Sequence, residues 1–327
     1  MNSPKIGYFL SCEEYTPAEL VQQAKWAEEA GFESLWISDH FHPWNDEQGE
    51  SPFVWSVIGA VSQVCSLPIT TAVTCPTVRI HPAIIAQAAA TSAVLSRGKF
   101  ILGVGSGEAL NEHVTGARWP DATVRLDMLE EAVDVLRTLW KGEFVDHHGE
   151  YYTVENARIY TRPEEPIPVY VSAFGPKAAD VAGRIGDGFI TTAPDTDTIR
   201  AFRESGGEGK PVQAGYKVCW GPDDEVCIDT AHRLWGNSGV PGELSQVLPS
   251  PRHFEQVTAL VPRESTRDSI AYGADVDRHV RAFKPFAEAG VDVIHVSQMG
   301  GREPKTSAEG FFEFYRDQVL PRLREIA

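Results

Sequence analysis

Three short stretches of this chain concentrate residue types that can do chemistry. The first is Ser38-Asp39-His40-Phe41-His42-Pro43-Trp44, which packs one carboxylate, two imidazoles and an indole into seven positions. An imidazole titrates near neutrality without help, so it suits a base that takes the proton of an alcohol. The second is Gly103-Val104-Gly105-Ser106-Gly107-Glu108-Ala109-Leu110-Asn111-Glu112. Its glycines let a flat ligand approach the backbone closely, and Glu108 stands just beyond them. The third, Gly175-Pro176-Lys177, opens a helix. Free N–H groups and the helix dipole there favour a phosphate, and Lys177 adds a charge. Singly, each has an ordinary reading: a hydrogen-bonded Asp–His pair, a tight turn, a helix cap. Their arrival together at the ends of three strands points to a site.

A metal site is the competing use of His40-x-His42. It needs further ligands on other strand ends. The ends Val171-Ser172-Ala173-Phe174-Gly175 and Ile190-Thr191-Thr192-Ala193-Pro194 carry no histidine, and His295 falls within a strand, so no metal is expected. His147-His148 reads as solvated surface.

The elements that must position these residues alternate between short apolar runs and helical stretches. Strands are expected at 5–10, 34–38, 69–74, 99–104, 169–173, 188–192, 214–220 and 292–297. Thr16-Pro17-Ala18-Glu19 is a capping box with proline at the first helical position, and Gly31 closes that helix. Further helices are expected from Pro82 to about Leu95, over about 123–140, over 176–185, and at the end, including Phe311, Phe314, Tyr315 and Val319. Eight strand–helix units predict the α/β class, a single (β/α)8 TIM barrel over residues 1–327. Three stretches exceed the minimal unit. Residues 42–52 read as a long loop, 144–162 as a hairpin excursion, and 236–266 as a loop with one short helix. In a barrel such insertions lie over the C-terminal face and shape the pocket. Phe41, Trp44, Phe53 and Trp55 are candidate walls of a dry site. On a strand, Asp39 points to the face opposite His40.

The chain has 327 residues, with Lys plus Arg at 29 and Asp plus Glu at 46, a net charge of −17. Such a surface repels nucleic acid and anionic membranes, and neither is an expected partner. No apolar run approaches the roughly 18 residues that span a bilayer, and the first ten residues lack a signal-peptide pattern; the expected location is the cytoplasm. The five cysteines, 12, 65, 75, 219 and 227, are scattered without a Cys-x-x-Cys, and read as free buried thiols rather than a disulfide scaffold.

The Ser38–Trp44 and Gly103–Glu112 motifs, with Ala182-Gly183-Arg184-Ile185-Gly186-Asp187-Gly188-Phe189, resemble the luciferase-like superfamily. More narrowly, they resemble its branch of coenzyme F420-dependent glucose-6-phosphate dehydrogenases. The resemblance runs from Lys5 to about Thr192 and returns weakly in the last 40 residues. It implies coenzyme F420, a deazaflavin, across the barrel mouth, and an alcohol or sugar giving a hydride to C5. By the same resemblance His40 is the base, Glu108 the acid, Trp44 the aromatic that orients substrate, and Glu13 a carboxylate near His40. Cofactor contacts are implied at Asp39, Thr74, Cys75, Gly107, Asn111 and Thr192. Ala72-Val73 matches a bulged segment with a non-proline cis peptide, and Gly175, Pro176 and Lys177 match the phosphate turn. Arg79 and Arg184 are candidates for a basic rim with Lys177, and a homodimer is implied. The chain departs from the branch after strand six, where Asp195 stands in place of a lysine. A second acid, Asp197, follows, and the two would repel a substrate phosphate. An uncharged alcohol or sugar is therefore the expected substrate. The alternatives are an FMN-dependent luciferase-like monooxygenase, an F420H2-dependent ketone or enone reductase, and a non-catalytic ligand-binding barrel.

Overall fold

A computed structural model describes residues 4–325; the first three and last two residues of the expected domain lie outside it. The strands are β1 (Lys5–Leu10), β2 (Leu35–Ile37), β3 (Ile69–Thr71), β4 (Phe100–Val104), β5 (Val145–His148), β6 (Thr153–Ala157), β7 (Val169–Ser172), β8 (Gly188–Thr191), β9 (Val212–Cys219), β10 (Ala271–Tyr272) and β11 (Val293–Gln298). Eight of them close in the order β9-β11-β1-β2-β3-β4-β7-β8, with β8 pairing back to β9. Every pairing in that ring is parallel. This is a (β/α)8 barrel. Among the described residues no helix is long and apolar enough to cross a membrane.

The helices form where local chemistry asks for them. Helix Pro17–Ala30 starts on the reciprocal Thr16–Glu19 box and stops at Gly31, whose φ of 90° suits a residue without a Cβ. Helices Pro82–Leu95, Ala122–Trp140 and Pro176–Ile185 cover the outside of the strands. The 144–162 excursion is the antiparallel hairpin β5–β6.

The structure departs from expectation at four places. β3 ends at Thr71 rather than Thr74; the Ala72–Val73 peptide that follows is cis, and Thr74 rejoins the sheet by a bridge to Val104. The 236–266 segment is mostly helical, with helices Leu244–Val247, Pro251–Thr258 and Arg263–Ser269. Its proline-rich composition marks helix starts: Pro251 sits in a first turn and Pro262 is an N-cap. A short strand, β10, extends the end of β9. Trp55 belongs to helix Val54–Val61 and meets Phe100, 6.1 Å between rings, in the layer outside the barrel. It is therefore not a wall of the mouth.

Inside the ring the side chains stack in layers. His295 lies over Trp36 with ring centroids 4.5 Å apart, and Ser34 holds its Nε2 at 2.9 Å. Trp36 donates to Gln213 at 2.6 Å. Trp36 also packs with Phe9, Tyr170 and Ile190, against Ala72 and Val73. This plug is the floor of the mouth. Gly103 is required where β4 passes the end of β3, since a Cβ there would lie 1.9 Å from the Thr71 carbonyl oxygen. The obstructing atom is backbone and has no easy escape. Gly103→Ala is expected to destabilise the protein by about 2 kcal/mol or more, readable as a lower midpoint in urea denaturation.

Candidate active site

The C-terminal ends of β1, β2 and β4 bring four of the expected side chains into one cluster. Glu13 follows β1 and is buried. Its Oε2 accepts from Ser38 Oγ at 2.7 Å, and its Oε1 faces His40 Nε2 at 3.4 Å. Trp44 lies against His40 with ring centroids 5.0 Å apart and a 58° tilt. Glu108 caps the short helix Ala109–Glu112. Burial pushes its carboxyl above the usual range, against the nearby His40 charge that pulls it down.

Asn111 joins these groups. Its Oδ1 accepts from the backbone N–H of Phe41 at 2.9 Å and of His42 at 3.2 Å. That fixes the amide, so Nδ2 faces His40 Nδ1 at 3.2 Å and Glu108 Oε2 at 3.4 Å. His40 Nδ1 also lies 3.1 Å from the His42 carbonyl oxygen. With the proton on Nδ1 and donated to that carbonyl, Nε2 carries the free lone pair, and Asn111 Nδ2 donates to Glu108 alone while lying beside the imidazole without a hydrogen bond to it. A proton arriving at Nε2 would place the imidazolium beside Glu13.

Asp39, buried, does turn away from His40. One oxygen accepts from Thr74 Oγ1 at 2.8 Å and the other from Arg79 at 2.7 Å. Arg79 also reaches Glu112 at 3.5 Å. Arg184 is likewise tied, to Glu130 at 2.7 Å and Asp180 at 3.1 Å. Neither arginine is left for a basic rim; among the three candidates only Lys177, exposed, has no ion pair. Thr74 and Cys75, both buried, are held by neighbouring groups. Thr74 donates its N–H to Gly103 and accepts from Gly105, while Cys75 Sγ pairs with Thr77 at 3.0 Å. Gly107 adopts a φ of 82°, and a Cβ there would meet Cys75 Sγ at 2.5 Å. Thr192 is exposed just past β8.

Two observations test whether a flat, phosphorylated cofactor fits. Ala72 and Val73 are only partly buried, on top of the aromatic plug. They offer an apolar shelf beside Glu108 and Asn111. Across the mouth, helix Pro176–Ile185 begins at Gly175 with no side chain capping it, and a Cβ on Gly175 would meet nothing within 4 Å. Its first N–H groups and Lys177 suit an anion. A groove of about 440 Å³ between helices Ala122–Trp140 and Pro176–Ile185 leads away from this turn. The residues present fit such a group.

Several residues that no sequence motif marks also build the mouth. Trp235 and Phe254 take the wall position expected of Trp55; Phe254 meets Trp44 at 4.9 Å between rings. Trp235 donates to Glu14 at 2.8 Å. Lys217 rises from β9 with its Nζ 4.3 Å from the Trp235 ring centre. A lysine interrupting an apolar barrel strand was the available signal. The 42–52 loop is pinned over this wall by Asn45 and Gln48, which both donate to the Leu234 carbonyl.

A sequence profile of the luciferase-like monooxygenase family matches residues 5–293. The chain belongs to that family. Within the luciferase-like family it is 37% identical to an F420-dependent glucose-6-phosphate dehydrogenase of Amycolatopsis mediterranei (strain U-32), over 98% of this chain and 99% of that protein. It is 34% identical to the enzyme of the same name from Mycobacterium avium (strain 104), over 98% of both chains. Among solved luciferase-like structures, an F420-dependent secondary alcohol dehydrogenase in complex with an F420-acetone adduct superposes with a TM-score of 0.90. The two share 31% identity, over 99% of this chain and 100% of that one. The coenzyme F420-dependent tetrahydromethanopterin reductase of Methanopyrus kandleri shares the fold, with a TM-score of 0.77 at 20% identity.

Glu14, just behind this site, gives a test of the electrostatics. Burial raises its carboxyl from 4.5 to about 7, against the hydrogen bonds from Trp235, Tyr15 and the Gly300–Gly301 backbone. The folded state therefore holds a proton that the unfolded state releases near pH 4.5. Stability from this group is full below that pH and is lost as pH rises through 7, by about 3 kcal/mol at most. Denaturant titrations at pH 5 and pH 8 are expected to show this loss in the wild type and a flatter dependence in Glu14→Gln.

Proposed function

We propose that this chain is a coenzyme F420-dependent oxidoreductase that oxidises a secondary alcohol or an unphosphorylated sugar. The observation that carries the reading is the convergence of His40 and Glu108 on one carboxamide, at 3.2 and 3.4 Å from Asn111 Nδ2, beside an apolar shelf. The full-length likeness to F420-dependent dehydrogenases supports it over an FMN-dependent monooxygenase. A deazaflavin bound on the shelf would supply a hydride acceptor at C5. The residues suited to hold it would be Ala72, Val73, Gly107 and Asn111 for its ring and the Gly175-Pro176-Lys177 turn for its phosphate.

The chain's own residues then divide the proton work. His40 Nε2 takes the hydroxyl proton as the carbinol C–H leaves as hydride, and Glu13 stabilises the imidazolium across 3.4 Å. Trp44 confines the imidazole and the substrate carbon. Glu108, raised by its burial, keeps a proton to a higher pH than an exposed carboxyl and serves as the acid. Turnover is expected to fall on the alkaline side as this carboxyl ionises.

The case against glucose 6-phosphate rests on committed charges. Asp195 caps helix Thr196–Phe202, accepting from the N–H groups of Asp197 and Thr198, and presents no cation to a phosphate. Arg263 and Arg267, in the 236–266 insertion, pair with Glu225, and Arg263 also with Asp229. Arg233 pairs with Glu47 and Glu303. The same reading has the chain act as a single-domain cytoplasmic homodimer, with sedimentation as the measure of assembly.

The expected result is bleaching of the F420 visible band by neutral alcohols or sugars and weak, non-saturating oxidation of glucose 6-phosphate. His40→Ala and Glu108→Gln are each expected to lower kcat by about 10²- to 10⁴-fold while cofactor binding, read by fluorescence titration, persists. Near-native turnover in His40→Ala would falsify the base assignment.

A further inference from the structure

Among the described residues Lys217 is the lysine that β9 sends into the mouth, and the hydride-transfer reading gives it no task. Its strand alternates in a way that fixes its direction. Gln213 bonds Trp36 inside the barrel, and a Cβ on Gly215 would meet the Trp36 ring at 2.7 Å. Lys217 is next on the same face. Its register partner Ser297 bonds Ser11 at 2.8 Å in the layer above the plug. The ammonium lies 4.3 Å from the ring centre of Trp235 and 5.5 Å from that of Phe9. Among the described residues it makes no hydrogen bond and no ion pair within 4.0 Å.

The charged groups around it are accounted for. Glu13, Glu14 and Glu108 all act on Lys217 through space. Glu13 is engaged by Ser38 and His40, and Glu14 by Trp235 and the Gly301 N–H. Lys217 is half-buried, and its three N–H donors face the mouth without a protein acceptor. A ligand that brings an acceptor there gains a charge-assisted hydrogen bond.

We propose that Lys217 selects the substrate, by donating to a second oxygen on the carbon skeleton beside the carbinol that faces His40. This rests on the hydride-transfer reading and narrows its substrate class to polyols and unphosphorylated sugars. An anionic group in that place would balance Lys217 but face the Glu13 carboxylate; a hydroxyl or ring oxygen accepts without adding charge. Trp44, half-buried and backed by the buried Phe254, offers an aromatic face suited to the C–H face of a saturated ring. A monohydroxy alcohol would fill the aromatic part and leave the ammonium unsatisfied.

The test pairs cyclohexanol with trans-cyclohexane-1,2-diol, and adds glucose, in F420 reduction assays. In the wild type, kcat/KM for the diol is expected to exceed that for cyclohexanol by about 10-fold or more. In Lys217→Met the ratio is expected to collapse towards one, chiefly through KM, and Lys217→Arg should restore part of it. A wild-type ratio at or below one overturns the proposal, as does a ratio unchanged in Lys217→Met. F420 fluorescence titration separates the two readings: a wild type that binds no deazaflavin sinks the proposed function. Saturation-transfer NMR on cofactor-free protein then tests Lys217 alone. The diol is expected to outcompete cyclohexanol on the wild type, and equal binding would count against the proposal. The wild-type measurements decide the matter even where Lys217→Met does not fold.

Discussion

The site depends on one carboxamide. Asn111 spends its oxygen on two backbone N–H groups of the turn after β2, and this orients its nitrogen towards both His40 and Glu108. An amide held by its oxygen cannot flip without losing two hydrogen bonds. The distance between the ends of β2 and β4 is therefore fixed by side-chain chemistry as well as by the sheet. Any ligand entering beside β3 meets the imidazole and the carboxyl at a set spacing. Nothing covalent holds them there.

Around that link the protein confines several ionisable groups and balances them locally. Asp39, Arg79 and Glu112 form a closed cluster below the surface, which leaves none of the three free for solvent or ligand charge. Glu112 is pushed up to about 7 by burial even with Arg79 beside it. Glu14 reaches about the same value behind Trp235. These carboxyls are held where water would ordinarily be needed, and their hydrogen bonds do part of water's work. The consequence is a mouth with little net charge in a chain of net charge −17.

The barrel and its insertions divide the labour. Strands β1, β2 and β4 supply the proton-handling groups from a rigid floor, while β9 and the helices after it supply the wall opposite. The wall is joined to the base by short links: Trp44 touches both His40 and Phe254, and the loop bearing Trp44 is tied to the end of helix Asp224–Trp235. Chemistry and selectivity thus sit on different parts of one ring, which lets the second vary while the first is kept.

Much of this was legible in the residues. The capping box at Thr16, the glycine at 31, and the eight apolar runs gave strand and helix positions because they act over a few neighbouring residues. His40, Glu108 and Asn111 were readable as a group since barrel topology sends the ends of β2 and β4 to one face. Lys217, Trp235, Phe254 and Glu14 were not, because they gather from segments up to about 240 residues apart and no local spacing records it. Nor could the sequence say that Arg79 and Arg184 are neutralised or that Trp55 faces the helices. A side chain's type and the element that carries it are local properties; which partner satisfies its charge or covers its surface is set only when distant strands close into a ring.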